Sequence, residues 1–101
     1  MHALVVRPDA ETDVADAALW YEAQSQGLGS DFLRAVDACL SDVARAPQRF
    51  PVVHRNMRRA LLRRFPYGLF FVEGEDAVEV LACLHARRDP HQWSERLRRD
   101  R

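Results

Sequence analysis

The chain contains no lysine: all fifteen of its basic residues are arginine. Arginine grips carboxylates and phosphates through a planar fork, where lysine offers only a point charge. A GC-rich coding bias produces the same absence, so the missing lysine alone assigns no function. Other absences narrow the field further. No apolar run approaches the roughly 20 residues that a membrane span needs. No basic segment followed by an apolar stretch opens the chain, so no secretory signal is expected. Cys39 and Cys83 are the only cysteines, too few for a disulfide framework, which points to a cytoplasmic protein with reduced thiols. His2, His54, His85 and His91 lack metal-ligand spacing and there is no CxxC, so no metal and no cofactor are expected. Gly27 and Gly29 are not a phosphate loop: no strand precedes them and no GKS/T follows.

What is present suits one domain over residues 1–101. An apolar fraction of 48% and a charged fraction of 30% are ordinary for a soluble globular chain. The formal net charge of zero hides a split. Residues 1–44 hold two arginines against eight acids, and residues 45–101 hold thirteen arginines against seven acids. That predicts one acidic face and one basic face, the latter suited to an anionic partner.

Residues 3–7 are a short β-branched run before Pro8 and predict a strand. Pro8, Asp9, Glu11 and Asp13 suit the first turn of a helix. Ala10, Val14, Ala17, Ala18 and Tyr21 then recur at helical spacing, with an end before Gly27. A tight link leads to a second helix capped by Ser30 or Asp31, with Phe32, Val36, Cys39, Leu40 and Val43 as its buried stripe and Ala46-Pro47 as its stop. Residues 50–56 read as irregular. Strands are predicted near 57–63, 66–73 and 77–86, with Gly74-Glu75-Asp76 as the last hairpin turn. In the last strand, strict alternation sends Val78, Val80, Ala82, Leu84 and Ala86 to the helices. Glu79, Leu81, Cys83, His85 and Arg87 go to an open face, where Cys83 would be accessible. Asp89-Pro90 begins a short terminal helix bearing Trp93 and Leu97. The order β-α-α-β-β-β predicts an α+β domain: a small, mostly antiparallel sheet with a two-helix hairpin on one face and a short C-terminal helix.

This order resembles the RelE/ParE superfamily of toxins from bacterial toxin–antitoxin (plasmid stabilisation) systems. The resemblance rests on Trp20-Tyr21-Glu22, Gly27-Leu28-Gly29-Ser30-Asp31-Phe32, Pro47-Gln48-Arg49-Phe50-Pro51, Phe65-Pro66-Tyr67-Gly68-Leu69-Phe70-Phe71 and His85-Ala86-Arg87-Arg88-Asp89-Pro90-His91-Gln92-Trp93. Each piece alone is weak; their order and spacing together are specific. The resemblance implies a small growth-inhibiting toxin that a cognate antitoxin neutralises in a hetero-oligomer. It implies two alternative targets. ParE-like members inhibit DNA gyrase; RelE-like members cut messenger RNA in the ribosome. A degenerate member that binds its antitoxin and poisons nothing is a third alternative.

RNA cleavage by 2′-OH attack needs a base, cations on the in-line phosphate and an acid for the leaving oxygen. His85 is the best titratable candidate, with Arg87 beside it. Arg58, Arg59, Arg63, Arg64 and Arg88 are candidates to hold phosphates or an antitoxin, and Trp93 to stack on a base. The blander readings are that His85 orients the chain end, that the arginines are solvated or paired, and that Trp93 is core. For a protein target the acidic hairpin is the candidate surface, with Glu22 and Arg34 as its residues.

Overall fold

A computed structural model describes residues 2–87. The predicted terminal helix, with Arg88, Trp93 and Leu97, lies outside the described residues.

Strand β1 (Leu4–Val6) leads at once into helix α1 (Pro8–Gln24). Pro8 stands in the first turn, where a missing N–H costs nothing, and Asp9 and Glu11 face the positive end of the helix dipole. Helix α2 (Leu28–Arg45) begins three or four residues earlier than the Ser30 or Asp31 cap predicts. Its N-cap is Gly27, at φ +88°, a left-handed conformation that side chains other than glycine's rarely adopt. Ala46 closes α2 ahead of a single 3₁₀ turn, Pro47–Arg49. Four strands follow: β2 (Val52–His54), β3 (Met57–Leu61), β4 (Tyr67–Glu73) and β5 (Val78–His85). The stretch expected to be irregular therefore contains β2, which pairs antiparallel with β3 through an irregular register.

The sheet order is β1-β5-β4-β3-β2, antiparallel except where β1 runs parallel to β5. Both helices pack on one face. Phe32, Val36, Cys39 and Val43 of α2 and Ala10 and Ala17 of α1 meet Ala60, Leu69, Phe71, Val78, Val80 and Cys83 of the sheet. This is the stripe that the 3.6-residue period predicts. Full burial of a side chain the size of Phe32 contributes about 1.5–3 kcal/mol.

The strict alternation predicted for β5 fails at one place. Phe71 pairs with Val80, but Phe70 pairs with Ala82, so Leu81 is an extra residue in the strand. Such a bulge places Leu81 and Ala82 on the same side and reverses every position beyond them. Cys83 and His85 therefore lie on the helix face, and Leu81, Ala82 and Leu84 on the other. Cys83 is 1% exposed, contrary to the expected accessible thiol. The second face is also not the cationic surface that alternation predicts. It carries a buried apolar cluster of Met57, Phe70, Leu81, Ala82 and Leu84, with Val53 and Val72 beside it.

Candidate functional site

The bulge sets the position of His85. Its ring meets Tyr67 edge-on at 5.5 Å, and Tyr67 in turn contacts Tyr21 and Phe32 at 6.0 and 5.3 Å. Phe65 completes this group of rings, 4.9 Å from Tyr21 and 5.2 Å from Phe32. Each such pair contributes about 0.5–1.5 kcal/mol beyond its area, so the group binds the hairpin to the sheet. Tyr21 pays for part of this in acidity: burial, and then the neighbouring Tyr67, raise its pKa. His85 is the outermost ring. Its Nδ1 accepts the backbone N–H of Arg87 at 3.2 Å, which requires a neutral ring to carry its proton on Nε2. The bond ties the backbone just beyond β5 to the His85 ring.

Of the predicted cations, Arg58 and Arg59 do not gather around His85. Arg58 is paired with Phe71, four positions along β4 from the Tyr67 that pairs with His85. From strand spacings this is roughly 13 Å along the sheet and about 10 Å across it. Arg58 is already engaged, with Phe50 O at 2.6 Å and Glu73 at 3.4 Å. Arg59, the next residue in β3, pairs with Phe70 and lies on the opposite face. Arg63 and Arg64 are not in a strand at all but in the bend between β3 and β4. Arg64, at φ +73°, reaches Asp31 of α2 at 3.7 Å and lies over the Phe65 ring. Arg63 stands beside Arg45 in a separate cleft. Arg87 lies two residues beyond His85, and its backbone N–H is what touches the ring. Arg88 and Trp93 lie outside the described residues.

The hairpin residues divide by role. Glu22 is committed to structure: its two carboxylate oxygens accept the backbone N–H groups of Gly27 and Gly29, each at 2.9 Å. It thereby caps the start of α2 from the end of α1. Arg34 is exposed and ion-paired with Asp31 three residues earlier, an arrangement that contributes little to stability and leaves the guanidinium at the surface.

Sequence reasoning missed the exposed apolar groove between the two helices. It is about 550 Å³ in volume and is lined by Val14, Leu19, Leu33 and Leu40, with Glu11 and Asp37 at its rim. Leu19 is 71% exposed and Leu33 43%, and Trp20 next to Leu19 is also exposed. The signal was available: Leu19 and Leu33 fall off the buried stripes of their helices. Helix α1 carries five acids and no basic residue, so the groove lies in an acidic field.

Among the described residues, no group of three or more histidine, cysteine or acidic side chains is placed to hold a metal. No helix there is long and apolar enough to cross a membrane. No curated protein matches the chain in sequence. A solved structure described as the chromosomal ParDE toxin–antitoxin system from P. aeruginosa has the same fold, with a TM-score of 0.65. The match covers 84% of this chain and 96% of that one, at 18% identity. The family described as the ParE toxin of the type II toxin–antitoxin system parDE matches residues 4–90. With nearly the whole described domain inside that match, the chain belongs to the ParE toxin family.

Proposed function

We propose that this chain is a growth-inhibiting toxin that acts in the cytoplasm by binding a protein, with DNA gyrase as the target, and that a cognate antitoxin neutralises it. The observation that carries this reading is the helical hairpin. It offers an exposed apolar groove with Leu19 and Leu33 in an acidic field, and Trp20 is exposed next to Leu19. An exposed apolar patch of this kind suits a protein partner. Its acidic rim repels a phosphate backbone, whose binding depends on lysine and arginine contacts.

The rival reading is a ribosome-dependent endoribonuclease. In its favour stands the placement of Arg87 two residues beyond His85. Against it stand the engaged Nδ1 of His85, the ion pairs of Arg58 and Arg64 and the position of Arg59 on the opposite face of the sheet from Arg58. A relic that binds antitoxin without toxicity is the third outcome.

The test is induced expression in bacteria lacking the antitoxin, with messenger RNA ends mapped and plasmid supercoiling measured in the same cultures. Lost supercoiling with uncut messages is the expected result. Codon-phased cuts with intact supercoiling would replace this reading with the nuclease. Normal growth with neither effect would identify a relic.

A further inference from the structure

From Val43 to Val72 the chain runs for thirty residues without one acid, and it places seven arginines there. Two of the seven, Arg45 at the end of α2 and Arg63 between β3 and β4, stand at one cleft of about 340 Å³. Part of its wall is apolar, formed by Ala38, Phe50 and Leu61, and Ser41 and Asp42 add polar groups. Leu61 is 54% exposed there. The thiol of Cys39 also lines the cleft but is turned to its own hydrogen bond with Ala60 O at 3.7 Å. The single acid at the cleft, Asp42, is already paired with Arg45 at 3.5 Å. Arg63 has no ion pair among the described residues.

We propose that this cleft docks a short acidic peptide segment of a partner protein, with an aliphatic side chain of leucine size against Phe50 and Leu61 and a carboxylate between Arg45 and Arg63. Each half of the site asks for its complement. Two guanidiniums with one local counter-charge favour an anion, and the planar fork matches a carboxylate. A small inorganic anion would leave the apolar wall wet, while a leucine beside the carboxylate would remove it from water. The site lies across α2 from the groove of the hairpin, so both surfaces can be occupied at once. The inference does not depend on the identity of the toxin's target, because binding is read on the isolated protein.

The test is NMR titration of the ¹⁵N-labelled full chain with the peptide Ac-Glu-Leu-Glu-Leu-Glu-amide. Saturable shifts are expected at the amides of Ser41 to Arg45 and Leu61 to Arg64. Arg63→Glu is expected to weaken binding at least about tenfold, the scale of one charge-assisted hydrogen bond. Because the Arg63 side chain is exposed and unpaired, an unchanged amide spectrum elsewhere confirms that the variant is folded. Leu61→Ser, and a peptide with serine in place of leucine, are each expected to weaken binding through the apolar half. Equal binding of Ac-Lys-Leu-Lys-Leu-Lys-amide would overturn the proposal. So would inorganic phosphate or a short single-stranded RNA producing the same shifts at lower concentration, or an Arg63→Glu chain that binds as well as the parent.

Discussion

The backbone N–H of Cys83 donates a 3.0 Å hydrogen bond to the carboxylate of Asp13, seventy residues away. The bond explains how the bulged strand is tolerated. The β1 ladder on β5 ends at Val80, whose carbonyl accepts the N–H of Arg7, and the chain then turns away into α1. Beyond that point β5 has no strand on this side, and α1 supplies Asp13 in its place. A buried amide left without an acceptor costs about 1–3 kcal/mol. Asp13→Ala is therefore expected to lower unfolding stability by that amount in urea denaturation. Asp13→Asn, which keeps an acceptor oxygen, is expected to recover part of the loss. An alanine variant as stable as the parent would mean that water satisfies the Cys83 amide.

The turn between the helices depends on a close approach. A Cβ added at Gly29 would lie 2.6 Å from the Ala18 carbonyl oxygen and 2.9 Å from the Glu22 carboxylate. The first of these is backbone and cannot swing aside. Gly29→Ala is expected to destabilise the fold by about 1–3 kcal/mol through this overpacking. Glu22→Ala removes the acceptor for both Gly27 and Gly29 and is expected to cost about 1–2 kcal/mol, as a lost helix cap does. Thermal unfolding followed by circular dichroism measures both. If Glu22→Ala also abolishes toxicity, the stability loss has to be separated from any target contact before Glu22 is assigned to binding.

The elements whose periodicity is set locally were legible in the sequence. Phe32, Val36, Cys39 and Val43 fall on one side of any helix that contains them, and they are the buried stripe of α2. The turn at residues 74–76 is likewise set by its own residues, closed by Gly74 N–H to Ala77 O at 2.8 Å. The facing of β5 was not legible. Leu81 and Ala82 are both apolar, so nothing local marks the extra residue; it is fixed by pairing with β4 and by Asp13 from α1. That one residue moved Cys83 and His85 to the helix face. The strand β2 escaped notice because it is three residues long and follows Pro51. The role of Glu22 had a faint signal: an acid near a helix end, with glycines five and seven positions on.

Both thiols are held in the neutral form by burial. Burial, reinforced by Asp42, pushes the Cys39 thiol up to about 11 from an ordinary value of 9.0. Burial, with Asp13 and Cys39 adding to it, pushes the Cys83 thiol up to about 12 from the same value. Both folded pKa values lie above the unfolded ones, so the folded state holds its protons more tightly. Their contribution to stability is fully present below pH 9 and is lost as the pH rises toward 11–12. Tyr21, raised by burial, acts in the same direction. Denaturant midpoints are expected to fall steadily over that alkaline range. At pH 8 neither cysteine should react with iodoacetamide until denaturant is added. Rapid labelling of Cys83 in the native protein would contradict its placement beneath α1.

The sharpest functional contrast is between the hairpin groove and the end of β5. Leu19 and Leu33 contribute exposed apolar surface and little to the core, so Leu19→Asp and Leu33→Asp should leave the fold intact. A charge placed in an apolar protein interface typically costs a few kcal/mol, since it must be desolvated without a partner. With gyrase as the proposed target, each variant is expected to weaken its inhibition about a hundredfold or more and to restore colony formation when induced, on the scale of about 3 kcal/mol of lost binding. His85→Ala with Arg87→Ala removes the Nδ1 acceptor and one exposed cation. For a protein-binding toxin this should reduce toxicity less than tenfold, because neither side chain borders the groove. A nuclease would show the reverse order: loss of activity by orders of magnitude in the His85 and Arg87 double variant, and full toxicity in the Leu19 and Leu33 variants. Amide spectra of the three variants establish that they are folded, so the ranking of the two leucine variants against the double variant reports which surface meets the target.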